Sequence, residues 1–317
     1  MTSALTREIV PGVFQVATDY PEIADAPEWL YVVQGEQNLM CDAACSTTWD
    51  SVLRHAFDEL AMTPQDLHWA LLTHGHPDHT GAVGALRAAG SRCRVAAPLD
   101  DVLWIEQFDR QWAQFWQAHP GVVDVEPAYH ELRSMSGGDL PVDRILRDGD
   151  VFEFGNRALE VHMTRGHTPG HSAYFERESG VLLTGDLGIG RTIPSVSGST
   201  NFGPLYMDVD EHLDGLRRLR DLPFTWLLPA HAELSEREQG LRLIDEAIEA
   251  VDEVDALVLD LVSHGPVPMR DIAAAVGDYW GMTPAVWVHS AYVAQAHLRR
   301  AARAGIVEPF WAQRSRG

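Results

Sequence analysis

Short apolar runs, broken by glycine, proline and polar residues, fill the first two thirds of the chain. Ile9-Val10, Val13–Val16, Leu30–Val33 and Asn38–Cys41 read as strands. Trp49, Val52, Leu53, Phe57 and Leu60 then recur at helical spacing, which predicts a helix over about 47–61. Trp69–Thr73 is apolar without alternation, the pattern of a strand buried on both faces. A helix from Thr80 to Ala89 is ended by Gly90, and Arg94–Ala97 offers another strand. Val151–Phe154, Leu159–Met163, Ser172–Phe175 and Val181–Leu183 form a strand-rich stretch. A helix at about 208–220 then leads into a strand at Phe224–Leu228. Strands and helices in this mixed order predict a layered α/β domain. From about residue 234 the pattern turns helical, with helices expected near 235–263, 268–276 and 283–304 and a short strand at Ile306-Val307. The expected division is an α/β domain over 1–235 and a small helical domain over 236–317.

Residues 98–150 are longer than a simple connection needs to be. Trp104, Phe108, Trp112, Phe115 and Trp116 fall on one face of a helix. Such a stripe can be a lid over a site that accepts an acyl or aromatic group. It can equally pack on the domain's own core or on a partner subunit. Ser134–Gly138, just behind it, could serve as a hinge.

Composition narrows the chemistry. All 24 basic residues are Arg and none is Lys, which removes Lys Schiff bases, a phosphate-loop Lys and a Lys general base. With 46 acidic residues the formal charge is −22, against a chain whose main task is gripping a phosphate backbone. Cys41, Cys45 and Cys93 are too few for a disulfide framework, and Cys41 and Cys45 sit in an apolar run, as buried thiols do in a reducing cytoplasm. The N-terminus has no signal-peptide pattern, and no apolar run reaches the ~18 residues of a membrane span. A cytoplasmic setting without membrane contact is expected.

The chemistry concentrates in Thr73-His74-Gly75-His76-Pro77-Asp78-His79-Thr80-Gly81, directly after a buried strand. Unpaired, three imidazoles and a carboxylate would be costly to bury together. His74 and His76 can point to one side and take one metal, leaving Asp78 and His79 for a second. Three further strands deliver polar groups at their ends: Gly166-His167-Thr-Pro-Gly-His171, Thr184-Gly-Asp186 and Pro229-Ala-His231. Imidazoles with carboxylates suit Zn2+, with Fe or Mn possible. By chemistry alone, His167 and His171 could trade places.

The set His74-x-His76-x-Asp78-His79, then His167, Asp186 and His231, resembles the metallo-β-lactamase superfamily of dinuclear metallohydrolases. The resemblance implies a four-layer αββα sandwich. It also implies two divalent metal ions, one on His74, His76 and His167, the other on Asp78, His79 and His231, with Asp186 between them. His171 then stands behind the ligands, and Asp42, ending an apolar strand, could orient one of them. The implied chemistry is attack by a metal-bridging hydroxide, with Asp78 as ligand and proton carrier. Two departures stand out. The last ligand lies in Pro229-Ala-His231-Ala232, where the family usually has glycines. The tyrosine that lactonases tend to carry three residues after the bridging Asp is Ile189 here, so Tyr206 or Arg191 would have to supply that donor.

The C-terminal stretch resembles the winged-helix-like extension of the β-lactamase-like protein 2 branch, through Val267–Val276 and the helix ending at His297–Val307. Some relatives of that branch cleave RNA, others thioesters. Residues 236–317 hold 8 Arg and 12 acidic residues, net −4, which argues against nucleic acid as a partner and favours pocket closure or a homodimer contact. The expected activity is cleavage of an ester, thioester or lactone in a small or acyl-carrier-linked substrate. A metal-dependent endoribonuclease or phosphodiesterase is the alternative.

Overall fold

The computed structural model describes residues 5–20, 26–119, 121–265, 267–283 and 287–307. Two sheets face each other. The first runs β1 (Thr6–Val10), β2 (Val13–Tyr20), β3 (Ala26–Val33), β4 (Asn38–Cys41), β5 (Leu67–Leu71), β6 (Arg94–Pro98) and β7 (Arg144–Leu146) in spatial and sequence order alike. Its first three pairings are antiparallel and its last three parallel. The second comprises β8 (Val151–Phe154), β9 (Arg157–Met163), β10 (Ser172–Glu176) and β11 (Val181–Gly185), then, past a hairpin of β12 (Ile193–Pro194) and β13 (Asn201–Phe202), β14 (Trp226–Pro229) and β15 (Ser235–Glu236). It is ordered β15-β14-β11-β10-β9-β8, with β11 and β14 parallel.

Tyr31, Leu39, Leu71, Phe152, Val161, Tyr174 and Leu183 meet between the sheets. On the outer face of the first sheet lie a turn at Trp49–Leu53, α1 (Arg54–Glu59), α2 (Pro77–Thr80) and α3 (Ala82–Ala88), sharing a core of Leu53, Phe57, Val83, Leu86 and Val95. On the outer face of the second, α7 (Val209–Asp221) and α8 (Arg237–Ser263) bury Leu216, Leu219, Ile244 and Ala247 against Phe175 and Leu182. The order helix, sheet, sheet, helix is the four-layer αββα sandwich.

Between β6 and β7 in sequence lie α4 (Val102–Glu106), α5 (Phe108–Gln114) and α6 (Tyr129–Met135). The continuous helical stripe expected here is broken at Gln107, whose φ of −143° and ψ of 87° leave the helical region. The aromatic residues still gather, because each short helix turns its apolar face to the same neighbours, Leu132, Leu205, Val288 and Tyr292. The Ser134–Gly138 segment is pinned: Met135 O accepts from Ser46 N at 2.9 Å and Ser134 O from Ser46 Oγ at 2.7 Å.

The C-terminal helices are α8, α9 (Met269–Trp280) and α10 (Trp287–Arg303). Val251, Val254, Val258, Ile272, Val276 and Val293 form a core that also takes Tyr206, Val209 and Leu213 of the preceding region. The last helix ends earlier than a strand at Ile306-Val307 would need, and that pair lies in a bend. Among the described residues, no helix is long and apolar enough to cross a membrane.

Candidate metal centre

β5 ends at Leu71, and the chain leaves the sheet through Thr73-His74-Gly75-His76 into α2, which carries Asp78 and His79. Pro77 opens that helix, where its missing N–H costs nothing. Gly81 lets the turn press against its surroundings, since a Cβ there would sit 2.1 Å from Met135 O and 2.5 Å from Ser46 N. Three other strand ends complete the site: His167 after β9, Asp186 after β11 and His231 after β14.

Seven side chains converge as two groups. In the first, His74 Nε2 lies 3.0 Å from His76 Nδ1, and His167 Nε2 lies 3.2 Å from both. Asp186 Oδ2 stands 3.2 Å from His167 Nε2 and 4.0 Å from His74 Nε2. In the second, His79 Nε2 is 3.7 Å and His231 Nε2 3.5 Å from Asp78 Oδ2. Asp186 Oδ1 faces these two imidazoles at 3.1 Å and 3.5 Å. The single carboxylate of Asp186 thus presents one oxygen to each group.

The donor set fits a metal in each. Ligands about 2.0–2.1 Å from a tetrahedral Zn2+ stand about 3.3 Å apart, close to the separations in the first group. Burial and the neighbouring imidazoles hold His74, His76 and His167 below the ordinary imidazole value, so three neutral rings turn nitrogens on one another. The outer nitrogens explain which face points inward: His167 Nδ1 donates to Leu205 O at 2.8 Å and His231 Nδ1 to Pro27 O at 2.8 Å, leaving their Nε2 lone pairs for the centre. His79 Nε2 and Asp186 Oδ1 are buried without a well-aligned hydrogen bond despite their proximity. In the protein alone, protons fill the second group. Burial opposes charge on His231, but Asp186 and Asp78 outweigh it and raise it to about 9. Asp78 is held at about 2 by His79 and His231 against the opposing effect of burial. Divalent cations would displace these protons.

Asp42 sits behind the second group. Its Oδ2 lies 2.9 Å from His79 Nδ1, and its Oδ1 accepts from Thr73 N at 2.8 Å. His171 is wholly buried, with Nδ1 2.9 Å from Thr164 Oγ1, and its Nε2 accepts from Asp186 N at 3.2 Å, so it grips the backbone under Asp186. Asp101 escaped sequence reading. Asp101, fully buried, accepts from Gly75 N at 3.0 Å, Gly170 N at 2.7 Å and Thr168 Oγ1 at 2.6 Å, tying the His74–His76 loop to the His167–His171 loop. Burial raises its carboxyl to about 6. An acidic pair after a strand carries no local signal for such a role.

A pocket open at its mouth leads to His76, Asp78, His167, Asp186 and His231. Phe115, Trp116, Ile189, Ile193, Phe202 and Leu205 make its wall, and His289 reaches it from α10. The expected pocket residues divide. Trp116 is on the wall. Trp104, Phe108 and Trp112 are not: they pack one layer back, Trp104 Nε1 donating to Gln114 Oε1 at 2.8 Å and Trp112 meeting Tyr129 edge-on. Arg191 turns outward to Glu253 at 2.5 Å and Glu249 at 3.5 Å, because α8 offers it two carboxylates. Tyr206 is fully buried against His212, and its hydroxyl is 2.8 Å from His297 Nε2, so it cannot serve as a donor in the pocket.

Comparison with known proteins agrees with this geometry. The chain is 29% identical over 126 residues to a hydroxyacylglutathione hydrolase of Haemophilus influenzae, covering 38% of this chain and 52% of that one. It is 27% identical over 192 residues to an acyl-coenzyme A thioesterase of Gallus gallus, 56% of this chain and 61% of that one. A beta-lactamase-like protein 2 homologue of Caenorhabditis elegans matches at 24% over 260 residues, 80% of this chain and 66% of that one. The chain spans about half the length of several curated relatives it matches. Among solved structures, a metallo-beta-lactamase family protein of Thermus thermophilus superposes with a TM-score of 0.74 at 22% identity, covering 94% of this chain and 95% of that one, a likeness of fold. The metallo-beta-lactamase superfamily model matches residues 25–231, more than half of the chain and all seven converging side chains, and the chain belongs to that family.

Proposed function

We propose that the protein is a dinuclear metal-dependent hydrolase that cleaves an ester, thioester or lactone bond in a small or carrier-linked acyl substrate. The observation that carries this reading is Asp186, one carboxylate presenting an oxygen to each of two His-rich groups at the floor of an apolar pocket. Two divalent ions, Zn2+ by the donor chemistry, would supply a nucleophilic hydroxide at neutral pH and polarise the scissile carbonyl. The chain does the rest. His74, His76 and His167 would hold one ion, and Asp78, His79 and His231 the other. Asp42 and the carbonyls of Leu205 and Pro27 fix the rings that face them. Asp78 opens onto the pocket, where its free oxygen can carry a proton to the leaving group. The apolar wall takes the acyl chain and keeps bulk water off the reacting atoms.

Acyl substrates suit the pocket better than phosphodiesters. Among the described residues no Arg lines it, and two arginines of the last helix are neutralised: Arg300 pairs with Asp210 at 3.1 Å and Arg303 with Asp208 and Asp210 at 3.1 Å each. The acyl-coenzyme A thioesterase relative points the same way. The test is hydrolysis of a panel of esters, thioesters, lactones and bis-p-nitrophenyl phosphate by the metal-loaded protein. Turnover of a carbonyl substrate, abolished by chelation and by Asp186→Ala, is expected. Turnover of the phosphodiester alone would overturn the reading.

A further inference from the structure

Outside the two His/Asp groups, only two described residues on the pocket wall carry a side-chain heteroatom, Trp116 and His289. His289 belongs to α10, in the helical region rather than in the sandwich. Its placement is fixed by its neighbours on the same helix. Tyr292, three residues on and therefore on the same face, stacks on Phe115 with ring centres 4.7 Å apart, and its hydroxyl donates to Phe115 O at 2.5 Å. Val288 packs into the same aromatic cluster. Because Phe115 is itself part of the wall, this docking turns His289 toward the cavity one helical turn earlier. The imidazole is partly exposed and makes no hydrogen bond or ion pair with any described residue. A ring with one N–H and one lone pair, held at the edge of an apolar cavity and left unpartnered, is placed to bond a ligand.

We propose that His289 is the group through which the C-terminal helices bind the polar head of an uncharged acyl substrate, while Phe115, Trp116 and Leu205 take its apolar chain. This rests on the acyl-hydrolase reading and names its substrate class: an ester, thioester or lactone with a hydrocarbon acyl group of several carbons. It also gives the helical region a direct part in recognition. Arg191, between the wall residues Ile189 and Ile193, is already paired with two glutamates and so is not offered to the substrate's head.

The experiment uses the metal-loaded full-length chain with p-nitrophenyl acetate, butyrate and octanoate, and the variants His289→Ala and His289→Gln. Binding of octanamide, an uncharged analogue, is measured separately by calorimetry. The wild-type protein should favour the longer acyl chains. His289→Ala should lower kcat/KM about tenfold to a hundredfold, the effect of one hydrogen bond in a desolvated site, with metal content unchanged. It should weaken octanamide binding by about tenfold. His289→Gln, which keeps an N–H donor, should recover most of both. If His289→Ala stays within threefold of wild type in both measurements, or loses its metal, the proposal is overturned. If the wild-type protein hydrolyses none of the esters, the acyl-hydrolase reading fails, while octanamide binding still reports on His289.

Discussion

Replacing Asp42 by Asn should weaken one metal group and spare the other. Asp42 Oδ1 accepts from Thr73 N at 2.8 Å, and Oδ2 faces His79 Nδ1 at 2.9 Å and Thr73 Oγ1 at 2.9 Å. An Asn must keep its carbonyl on the Thr73 N–H, because the flipped amide would set donor against donor. Its NH2 then faces His79 Nδ1 and makes that nitrogen an acceptor. The ring proton moves to Nε2, where the lone pair for the metal should be. Loss of such an orienting partner costs about 10- to 100-fold in metal affinity. The stability change is small, about 1 kcal/mol, as one charge-assisted bond becomes neutral. Asp42 also adopts a φ of 60°, which Asn tolerates. Asp42→Ala should therefore cost about 1–2 kcal/mol more in backbone strain. Titration of the metal-free variant with Zn2+ against a chromophoric chelator should give one wild-type site and one weakened site. Two sites of wild-type affinity would refute the tautomer argument.

Gly81→Ala should cost about 3 kcal/mol in chemical unfolding, since its Cβ would strike Met135 O and Ser46 N; an unchanged midpoint would contradict the packing described. Asp101 gives a pH signature. Its folded carboxyl sits at about 6, above the ordinary 3.8, so its stabilising contribution is complete below 3.8 and is lost as pH rises through 6. Wild type should lose about 1 kcal/mol relative to Asp101→Asn between pH 5 and 7.5, read from denaturant midpoints; a constant difference would show that Asp101 titrates normally. Tyr206→Phe should destabilise the chain by about 1 kcal/mol, read from thermal unfolding, because His297, held 2.7 Å from Asp255, loses its partner hydroxyl. Its hydrolysis of esters should change little.

The sandwich and the converging side chains were legible because both are written locally. Each strand end carries its polar residue within a few positions, next to Gly or Pro, and the two facing sheets bring four such ends together. Residues placed by packing across the chain were not legible. Asp101 meets Gly75 and Gly170 only because the turn before α4 lies against both loops, and nothing in Leu99-Asp-Asp-Val announces it. His289 reaches the pocket through the stack of Tyr292 on Phe115, a contact 177 residues apart in sequence. The aromatic stripe misled for a related reason. Helical spacing across Gln107 suggested one face, but the break there sends Trp104, Phe108 and Trp112 into a core and leaves Phe115 and Trp116 on the wall. Arg191 was read as a pocket donor without sight of α8, whose carboxylates claim it.

The central claim is that Asp186 joins two metal groups into one centre. Elemental analysis of the purified chain, with Asp186→Ala beside it, tests this most directly. Two divalent ions per wild-type chain, with loss of at least one in the variant, is the predicted result. A wild-type protein that holds one ion or none after metal reconstitution, or a variant that keeps both at full affinity, would contradict it.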